Sequence, residues 1–159
     1  MSSDDRTRAR EILDLQEGRG PVRVADDTEP LDLLRRARRI AVVGASSRPF
    51  RPSSGVFEYL LRQGYELIPV NPFETEVHGV PAVATLAEAA AQGPIDIVDV
   101  FRRADATPGV AEEAVAVGAG ALWLQLGIVN WDAARIAAAA GMPVVMDRCI
   151  AVEHRRLRF

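Results

Sequence analysis

Short apolar runs alternate along most of the chain with stretches in which apolar residues recur every three or four positions. Residues 40–43 form a continuous apolar run, which is typical of a parallel strand buried on both faces. The next stretch predicts a helix that starts near Ser53 or Ser54 and ends at Gly64. Its apolar stripe consists of Val56, Tyr59, Leu60 and Leu61.

The same alternation continues to residue 146. Further strands are expected at residues 67–70, 95–100, 121–124 and 144–146. Further helices are expected at about residues 28–38, 85–91, 110–117 and 130–140. Because strands that alternate with helices form parallel sheets with right-handed crossovers, the pattern predicts an α/β fold. We expect a Rossmann-like, doubly wound parallel sheet of about five to six strands with helices on both faces.

Pro69 interrupts the second of these strands. Proline has no N–H group to donate, so one side of this strand is expected to face an edge or a short partner strand. Residues 80–83 are the candidate partner.

The first 27 residues have a different pattern. They carry alternating charges and few apolar residues, and the Gly18-Arg19-Gly20-Pro21 stretch is typical of a break between elements. We therefore expect residues 1–27 to form a partly helical appendage and residues 28–159 to form one domain.

Composition narrows the class of protein. With 159 residues, of which 48% are hydrophobic, the chain suits a single globular domain with a core. No apolar run reaches the roughly 18 residues that span a bilayer, and the N-terminus lacks the apolar centre of a signal peptide, so we expect a cytoplasmic protein with no membrane partner. The formal net charge of -3 argues against nucleic-acid binding. The single cysteine, Cys149, excludes an internal disulfide.

Positive charge follows the predicted strand ends. Ligands of doubly wound sheets bind at the carboxyl ends of the strands, where the strand order reverses. The arginines at these positions are Arg48, Arg51, Arg102, Arg103 and Arg148. The free N–H groups of a helix start point to the same edge, so we predict a polyanionic ligand there. The alternative is that these arginines are solvated and that the nearby serines only cap the helix.

The turn after the first strand differs from a dinucleotide-binding fingerprint. An NAD site would show a G-x-G-x-x-G motif and an acidic residue about 20 positions later that holds the ribose. This chain has Gly44-Ala45-Ser46-Ser47 at the turn and Asn71-Pro72 after the second strand. Small residues let the backbone approach a phosphate, and Ser53 and Ser54 add hydroxyl donors. The turn therefore predicts a phosphorylated nucleotide whose ribose is not held by a carboxylate.

Several segments occur in the order seen in one protein family. They are IAVVGASSRPFRPS, GYELIPVNP, EVHG, DIVDVFRR, LWLQLGIVN and VVMDRC followed by EH. On these motifs the chain resembles the small stand-alone CoA-binding proteins, and it is similar to the CoA-binding domain of the succinyl-CoA synthetase alpha subunit. The resemblance covers about residues 36–154 and implies a Rossmann-like fold that holds coenzyme A.

The resemblance also assigns residues to parts of the ligand. The pyrophosphate would be held by Gly44, Ala45, Ser46, Ser47, Arg48, Arg51, Pro52 and Ser53. Asn71 and Pro72 would border the adenosine portion, and Phe101 and Arg102 would line the crevice beside it. The pantetheine path would run along Gln125, Leu126 and Gly127. Arginine forks suit the diphosphate and the 3′-phosphate of coenzyme A, whereas a carboxylate at position 71 would repel the latter.

No residue specifies a reaction. The synthetase family relays phosphate through a histidine in a second domain, and we expect no such domain here. His78 is expected to be a solvated loop residue, and His154 a surface or capping residue. Because neither has a partner at metal-ligand spacing and no G-x-S-x-G elbow is present, we predict no metal site and no catalytic residue.

The expected function is storage, sensing or presentation of CoA or an acyl-CoA, without a catalytic centre. The alternatives are an NAD(P)-dependent oxidoreductase and a synthetase-like acyl-CoA ligase subunit that needs a partner chain. Asn71 counts against the first alternative, and the missing phosphohistidine domain counts against the second. The sequence leaves open a homodimer or a protein partner.

Four other residues have roles that the sequence leaves open. Cys149 is either a thiolate that forms a mixed disulfide with the CoA thiol or a buried structural thiol. Asp99 lies on an apolar strand, where an ionised carboxylate is costly, so we expect loop N–H groups to bond it, and the alternative is a role as a catalytic acid or base. Trp123 is expected in the core, and Trp131 either packs at a helix start or faces a partner.

Overall fold

Strands and helices alternate along the chain in the computed structural model, which describes residues 2–157. The strands are β1 (Arg39–Val43), β2 (Glu66–Val70), β3 (Glu76–Val77), β4 (Val80–Pro81), β5 (Ile97–Val100), β6 (Leu122–Leu124) and β7 (Val144–Val145). The helices are α1 (Ser3–Gln16), α2 (Glu29–Arg36), α3 (Pro52–Arg62), α4 (Leu86–Ala91), α5 (Thr107–Ala116), α6 (Trp131–Ala139) and α7 (Ile150–Arg155). A short 3-10 helix precedes α5.

Five strands form one parallel sheet in the order β2-β1-β5-β6-β7, and β3 and β4 form a separate antiparallel pair. The chain leaves β1 toward β2 on one side and later returns to β5 on the other side of β1. The strand order therefore reverses between β1 and β5, which is the switch point where ligands of such sheets bind. The predicted Rossmann-like α/β class is confirmed.

The sheet is covered by helices on both faces. Successive side chains of a strand point to opposite faces, so Ile40 and Val42 pack with residues of α2, α3 and α7, while Ala41 and Val43 pack with residues of α4, α5 and α6. Every residue of β1 is buried, as expected for the central region of a covered parallel sheet.

Pro69 lies on the outer edge of the sheet, as its missing donor predicts. Its carbonyl accepts a hydrogen bond from the Val83 N–H group at 2.9 Å, and the Asn71 N–H group donates to the Val83 carbonyl at 2.9 Å. Of the predicted partner segment, only Val83 pairs with β2. Val80 and Pro81 pair antiparallel with β3 instead.

Several element bounds differ from the sequence prediction by one to three residues, and one helix was not predicted. The strand expected at residues 95–100 begins at Ile97, because Asp96 Oδ2 accepts the backbone N–H groups of Arg38 and Arg39, at 2.8 and 3.0 Å. The sequence prediction placed no element after residue 146, yet α7 follows β7 and buries Ile150 against the sheet.

The N-terminal segment packs against α6 and the β7 edge of the main sheet. The Trp131 Nε1–H group donates to the Glu11 carbonyl at 3.1 Å, and the Ala25 N–H group donates to the Val144 carbonyl at 2.8 Å. A Cβ atom at Gly20 would lie 1.9 Å from the Trp131 ring, so only glycine allows this close approach. Within residues 2–157, no helix has the length and apolar character needed to cross a membrane.

Candidate functional site

The turn that follows β1 passes close to the backbone that follows β5. Gly44 has φ +84°, and a Cβ atom there would lie 2.3 Å from the Phe101 carbonyl oxygen and 3.3 Å from Cγ of Arg102. Only glycine combines this φ with this approach. The switch point therefore joins the turn at 44–47 to Phe101 and places the Arg102 stem beside Gly44.

Asn71 holds this turn in place. Its Nδ2 donates to the Ala45 carbonyl at 2.9 Å, and its Oδ1 accepts the Phe73 N–H group at 2.9 Å. Asn71 thus links the turns that follow β1 and β2. A carboxylate at position 71 could not donate a hydrogen bond to the Ala45 carbonyl. The fold therefore favours an amide at this position, independently of any ligand.

Glu74 occupies the donors of Ser47. The Ser47 N–H group donates to Glu74 Oε1 at 3.2 Å, and the Ser47 hydroxyl donates to Glu74 Oε2 at 2.9 Å. The Glu74 carboxylate therefore accepts hydrogen bonds from the Ser47 N–H and hydroxyl groups, and Ser47 was predicted to bind phosphate. Glu74 is not apparent from the sequence, because its contact with Ser47 forms only when the loops after β1 and β2 are brought together.

Helix α3 begins at this edge without a side-chain cap. Pro52 is its first residue, and Arg51 at the N-cap position makes no capping hydrogen bond. The alternative in which serines cap this helix is therefore wrong. Ser53 and Ser54 are buried in the first turn, and Ser54 Oγ pairs with His78 Nε2 at 2.9 Å. The uncapped start leaves positive helix-dipole charge facing the edge.

The five arginines that follow strand ends divide into two groups. Arg103 pairs with Asp105 at 3.2 Å, and Arg148 pairs with Asp27 at 2.6 Å and with Glu153 at 3.1 Å. The other three are exposed, and within residues 2–157 no ion pair involves them: Arg48, Arg51 and Arg102. We call these three residues the arginine rim.

A buried polar pair lies below the edge. Asp99 is fully buried, and Gln125 Nε2 donates to its Oδ1, while Asp99 Oδ2 has no hydrogen-bond partner. Burial raises the pKa of Asp99 to about 8, so the carboxyl group is protonated at neutral pH. The expectation that loop N–H groups bond Asp99 is wrong, since its partner is the Gln125 amide.

The three residues predicted to contact pantetheine differ in their exposure and in their hydrogen bonds. Gln125 is buried, and its Oε1 accepts the Ile150 N–H group at 3.4 Å, so both ends of its amide are used internally. Leu126 is 69% exposed. The Gly127 N–H group donates to Asp147 Oδ1 at 2.7 Å, which joins the loops after β6 and β7.

A cleft of about 580 Å³ lies at the carboxyl end of β7, away from the arginine rim. We call it the β7 cleft. It is lined by Leu15, Gln16, Gly18, Val24, Ala25, Asp26, Asp27, Leu126, Met146, Asp147, Arg148, Cys149, Val152 and Glu153. Cys149 is partly exposed on its wall rather than fully buried. Mixed-disulfide formation at Cys149 stays a prediction, which the intact mass after mild oxidation with CoA will check.

One of the two histidines lies where it was predicted. His78 is exposed in the turn between β3 and β4, where its ring bonds Ser54 and stacks on Phe57. His154 is buried between Tyr59 and Tyr65, with the Tyr59 hydroxyl 2.8 Å from its Nδ1, so the prediction of a surface or capping residue is wrong. Burial lowers the pKa of His154. In the part of the chain that the structure describes, no group of three potential metal ligands occurs.

Comparison with known proteins places these features in a family. Residues 38–155 match the family described as the CoA binding domain. The chain is 49% identical over 123 residues to the uncharacterized protein YneT of Bacillus subtilis (strain 168), covering 77% of this chain and 90% of that protein. A solved Thermus thermophilus structure, cell-free ID.343, is 43% identical with a TM-score of 0.77, covering 84% of this chain and 100% of that one.

A larger enzyme contains the same fold. The apo form of a dinucleotide forming acetyl-coenzyme A synthetase 1 from Ca. Korarchaeum cryptofilum is 23% identical, with a TM-score of 0.61. The match covers 72% of this chain and 27% of the synthetase chain. At this identity the likeness shows the fold alone.

Proposed function

Because the chain belongs to the CoA binding domain family, we propose that it binds coenzyme A or an acyl-CoA at the edge between β1 and β5. One observation carries the proposal: three arginines without ion-pair partners among residues 2–157 surround an uncapped helix start and a glycine turn. Coenzyme A carries a diphosphate and a 3′-phosphate, and guanidinium groups and helix N-termini both favour such anions.

The turn and the start of α3 would hold the pyrophosphate. These residues are Gly44, Ala45, Ser46, Ser47, Arg48, Arg51, Pro52 and Ser53. The shape of the turn fits this role, because a side chain at position 44 would fill the space beside Phe101. Ser46 Oγ accepts the Arg48 N–H group at 3.1 Å, which stiffens the loop that carries the first rim arginine.

The residues after β2, β5 and β6 would contact the rest of the ligand. Asn71 and Pro72 would border the adenosine, and Phe101 and Arg102 would line the crevice next to it. The pantetheine path would follow the exposed Leu126 and the Gly127 backbone. Since the Gln125 amide bonds Asp99 and the Ile150 N–H group, we assign Gln125 the role of shaping this path from below.

The role that fits these residues is to store, sense or present the ligand. When bound, CoA supplies a thiol that carries acyl groups as thioesters. The chain's own residues at the edge bind and orient anionic groups. The Ser54–His78 pair does not supply a nucleophile, because Ser54 is 2% exposed.

Isothermal titration calorimetry with CoA, dephospho-CoA, NAD and NADP tests this function. We expect CoA to bind most tightly, and we expect Arg51→Ala and Arg102→Ala each to weaken CoA binding by about 10- to 100-fold, the usual effect of one charge-assisted hydrogen bond. Arg62→Ala is the matched control, since Arg62 is an exposed arginine in the last turn of α3. Absence of CoA binding at millimolar concentration, or binding of NAD(P) alone, would contradict the proposal.

A further inference from the structure

The β7 cleft and the arginine rim open on the same edge of the sheet. Building on the proposed function, we infer that the β7 cleft receives the thiol end of a bound acyl-CoA. We further infer that it selects apolar acyl groups over acyl groups that end in a carboxylate. The inference rests on the strand spacing between the two sites, the position of Leu126 between them, the apolar lining of the cleft and its charge.

The spacing of the sheet suits the length of the ligand. Strand β7 is three strands away from β1 in the order β1-β5-β6-β7, which corresponds to about 14 Å at the usual strand spacing. The pantetheine arm has roughly the backbone length of four amino-acid residues, so it extends about 14 Å. A ligand whose phosphates lie at the arginine rim therefore reaches β7 with its thiol.

Leu126 connects the two sites. It lies on the loop after β6, belongs to the proposed pantetheine path and also lines the β7 cleft. Its side chain is 69% exposed and gives an aliphatic chain a surface to lie on. The bond from the Gly127 N–H group to Asp147 Oδ1 holds this loop against the loop that borders the cleft.

Apolar side chains from two parts of the chain line the cleft. The N-terminal segment contributes Leu15 and Val24, and the loops after β6 and β7 and helix α7 contribute Leu126, Met146 and Val152. Burial of one methylene group between such walls improves binding by about fourfold. A volume of about 580 Å³ accommodates a short or medium acyl chain.

The charge of the cleft is opposite to that of the arginine rim. Its lining includes the four carboxylates of Asp26, Asp27, Asp147 and Glu153 and a single guanidinium, that of Arg148. Arg148 is already bonded to Asp27 and Glu153. The hydrogen bond from Arg148 lowers the pKa of Asp27, so this carboxylate is ionised at neutral pH. The cleft therefore repels phosphate groups and any acyl group with a terminal carboxylate.

The N-terminal wall is anchored before any ligand arrives. The Ala25 N–H group bonds the Val144 carbonyl, the Trp131 indole bonds the Glu11 carbonyl, and Asp27 bonds Arg148. A wall that is already ordered costs little further entropy when a ligand binds. Residues 15–27 lie outside the family match, which begins at residue 38, so this wall is an addition to the matched domain.

Calorimetric titration of the full chain with CoA, hexanoyl-CoA and succinyl-CoA tests the inference. Hexanoyl-CoA is expected to bind at least tenfold more tightly than CoA, and succinyl-CoA is expected to bind more weakly than CoA. The critical variant is Val152→Trp, which places an indole in the cleft from a position that is 50% exposed and therefore tolerates a larger side chain. We expect it to remove the tenfold preference for hexanoyl-CoA over CoA.

Two further variants complete the test. Leu13→Trp is the matched control, because Leu13 is 45% exposed on α1 and does not line the cleft, so the preference for hexanoyl-CoA should persist. Asp147→Asn keeps an acceptor for the Gly127 N–H group and tolerates φ +60°, but it removes one negative charge. It should raise the affinity for succinyl-CoA severalfold relative to the affinity for hexanoyl-CoA.

The outcomes separate this inference from the proposed function. Equal affinity for CoA and hexanoyl-CoA, a preference for succinyl-CoA, or an unchanged preference in Val152→Trp would overturn the inference while CoA binding stands. A complete lack of CoA binding would overturn both.

Discussion

The arginine rim and the β7 cleft lie on one edge of one sheet, yet their charged groups are arranged in opposite ways. Arg102 follows β5 and is exposed without an ion pair among residues 2–157, whereas Arg148 follows β7 and bonds two carboxylates. Both arginines give the same signal in the sequence. The difference teaches that position after a strand locates an arginine at the edge, but its neighbours decide whether it is free to bind a ligand or fixed within the protein.

The largest expected effect comes from breaking the turn of the rim. Gly44→Ala places a Cβ atom 2.3 Å from the Phe101 carbonyl at φ +84°, so both the clash and the backbone conformation disfavour the variant. We expect a loss of more than 100-fold in CoA affinity and destabilisation by roughly 3 kcal/mol or more. Calorimetry and urea unfolding measure the two effects.

Gly118→Ala is the control for Gly44→Ala. Gly118 also has a positive φ of 70°, but a Cβ atom there meets nothing within 4 Å. The control should lose about 1 kcal/mol of stability from backbone strain and retain CoA affinity. Equal effects of the two substitutions on CoA affinity would show that the close approach to Phe101 is irrelevant to the site.

The next effect concerns Asp99, which lies below the edge between the two sites. Burial raises the pKa of Asp99 to about 8 in the folded chain, whereas an aspartate in the unfolded chain has its ordinary pKa of about 3.9. The free energy of unfolding should therefore fall as the pH rises from about 4 to 8 and become constant above that range. Since each pKa unit corresponds to about 1.4 kcal/mol, the total change is on the order of several kcal/mol.

Asp99→Asn removes this proton and should remove most of that pH dependence. The asparagine Oδ1 still accepts the hydrogen bond from Gln125, so the contact is conserved. Urea unfolding at pH 5, 7 and 9 should show the variant gaining stability relative to the original chain as the pH rises. Parallel pH profiles of the two proteins would exclude Asp99 as the group responsible.

A direct comparison of the two arginines follows. Arg148→Gln leaves the buried carboxylate of Glu153 with one fewer partner and should cost about 1 to 3 kcal/mol of stability. Arg102→Gln should leave stability within about 0.5 kcal/mol, because no ion pair is lost, but should weaken CoA binding about tenfold or more. Thermal unfolding measures the stability of both variants, and calorimetry measures their CoA affinity. A similar loss of stability in both variants would contradict the prediction.

The smallest expected effect comes from Glu74, the acidic residue that bonds the donors of Ser47. Glu74→Gln removes a negative charge beside the proposed pyrophosphate site but keeps an oxygen that accepts a hydrogen bond. We expect CoA affinity to rise about two- to tenfold, with a stability loss below about 1 kcal/mol. Glu88→Gln provides the control, because the Glu88 carboxylate also accepts a backbone N–H group, that of Ala84, but does not contact Ser47. Weaker CoA binding in Glu74→Gln would show that the carboxylate supports the site.

The fold could be predicted because its signals are local. Apolar runs such as residues 40–43 and caps such as Asn130, whose side chain accepts the Ala133 N–H group, act within a few residues of each other. Helix α7 was missed because it is short and follows the last strand after only a brief loop. The family and the α/β class, both expected from the sequence, are confirmed.

The partners of the site residues could not be predicted, because they are distant in the sequence. Arg148 and Asp27 are separated by 121 positions, and Tyr59 and His154 by 95 positions. No local pattern indicates that Arg148 is already paired or that His154 is buried. Only the packing of the N-terminal segment and of α7 on the sheet creates these contacts.

Trp131 gives the chain a natural optical probe. The sequence contains two tryptophans, and Trp123 is fully shielded with its indole N–H group bonded to the Arg148 carbonyl. Trp131 is covered by Gly20 and bonds the Glu11 carbonyl. Of the two indoles, only that of Trp131 has surroundings that depend on the N-terminal segment. Detachment of that segment would expose the Trp131 ring to water and shift its fluorescence to longer wavelength, which makes the motion of residues 2–27 visible without any label.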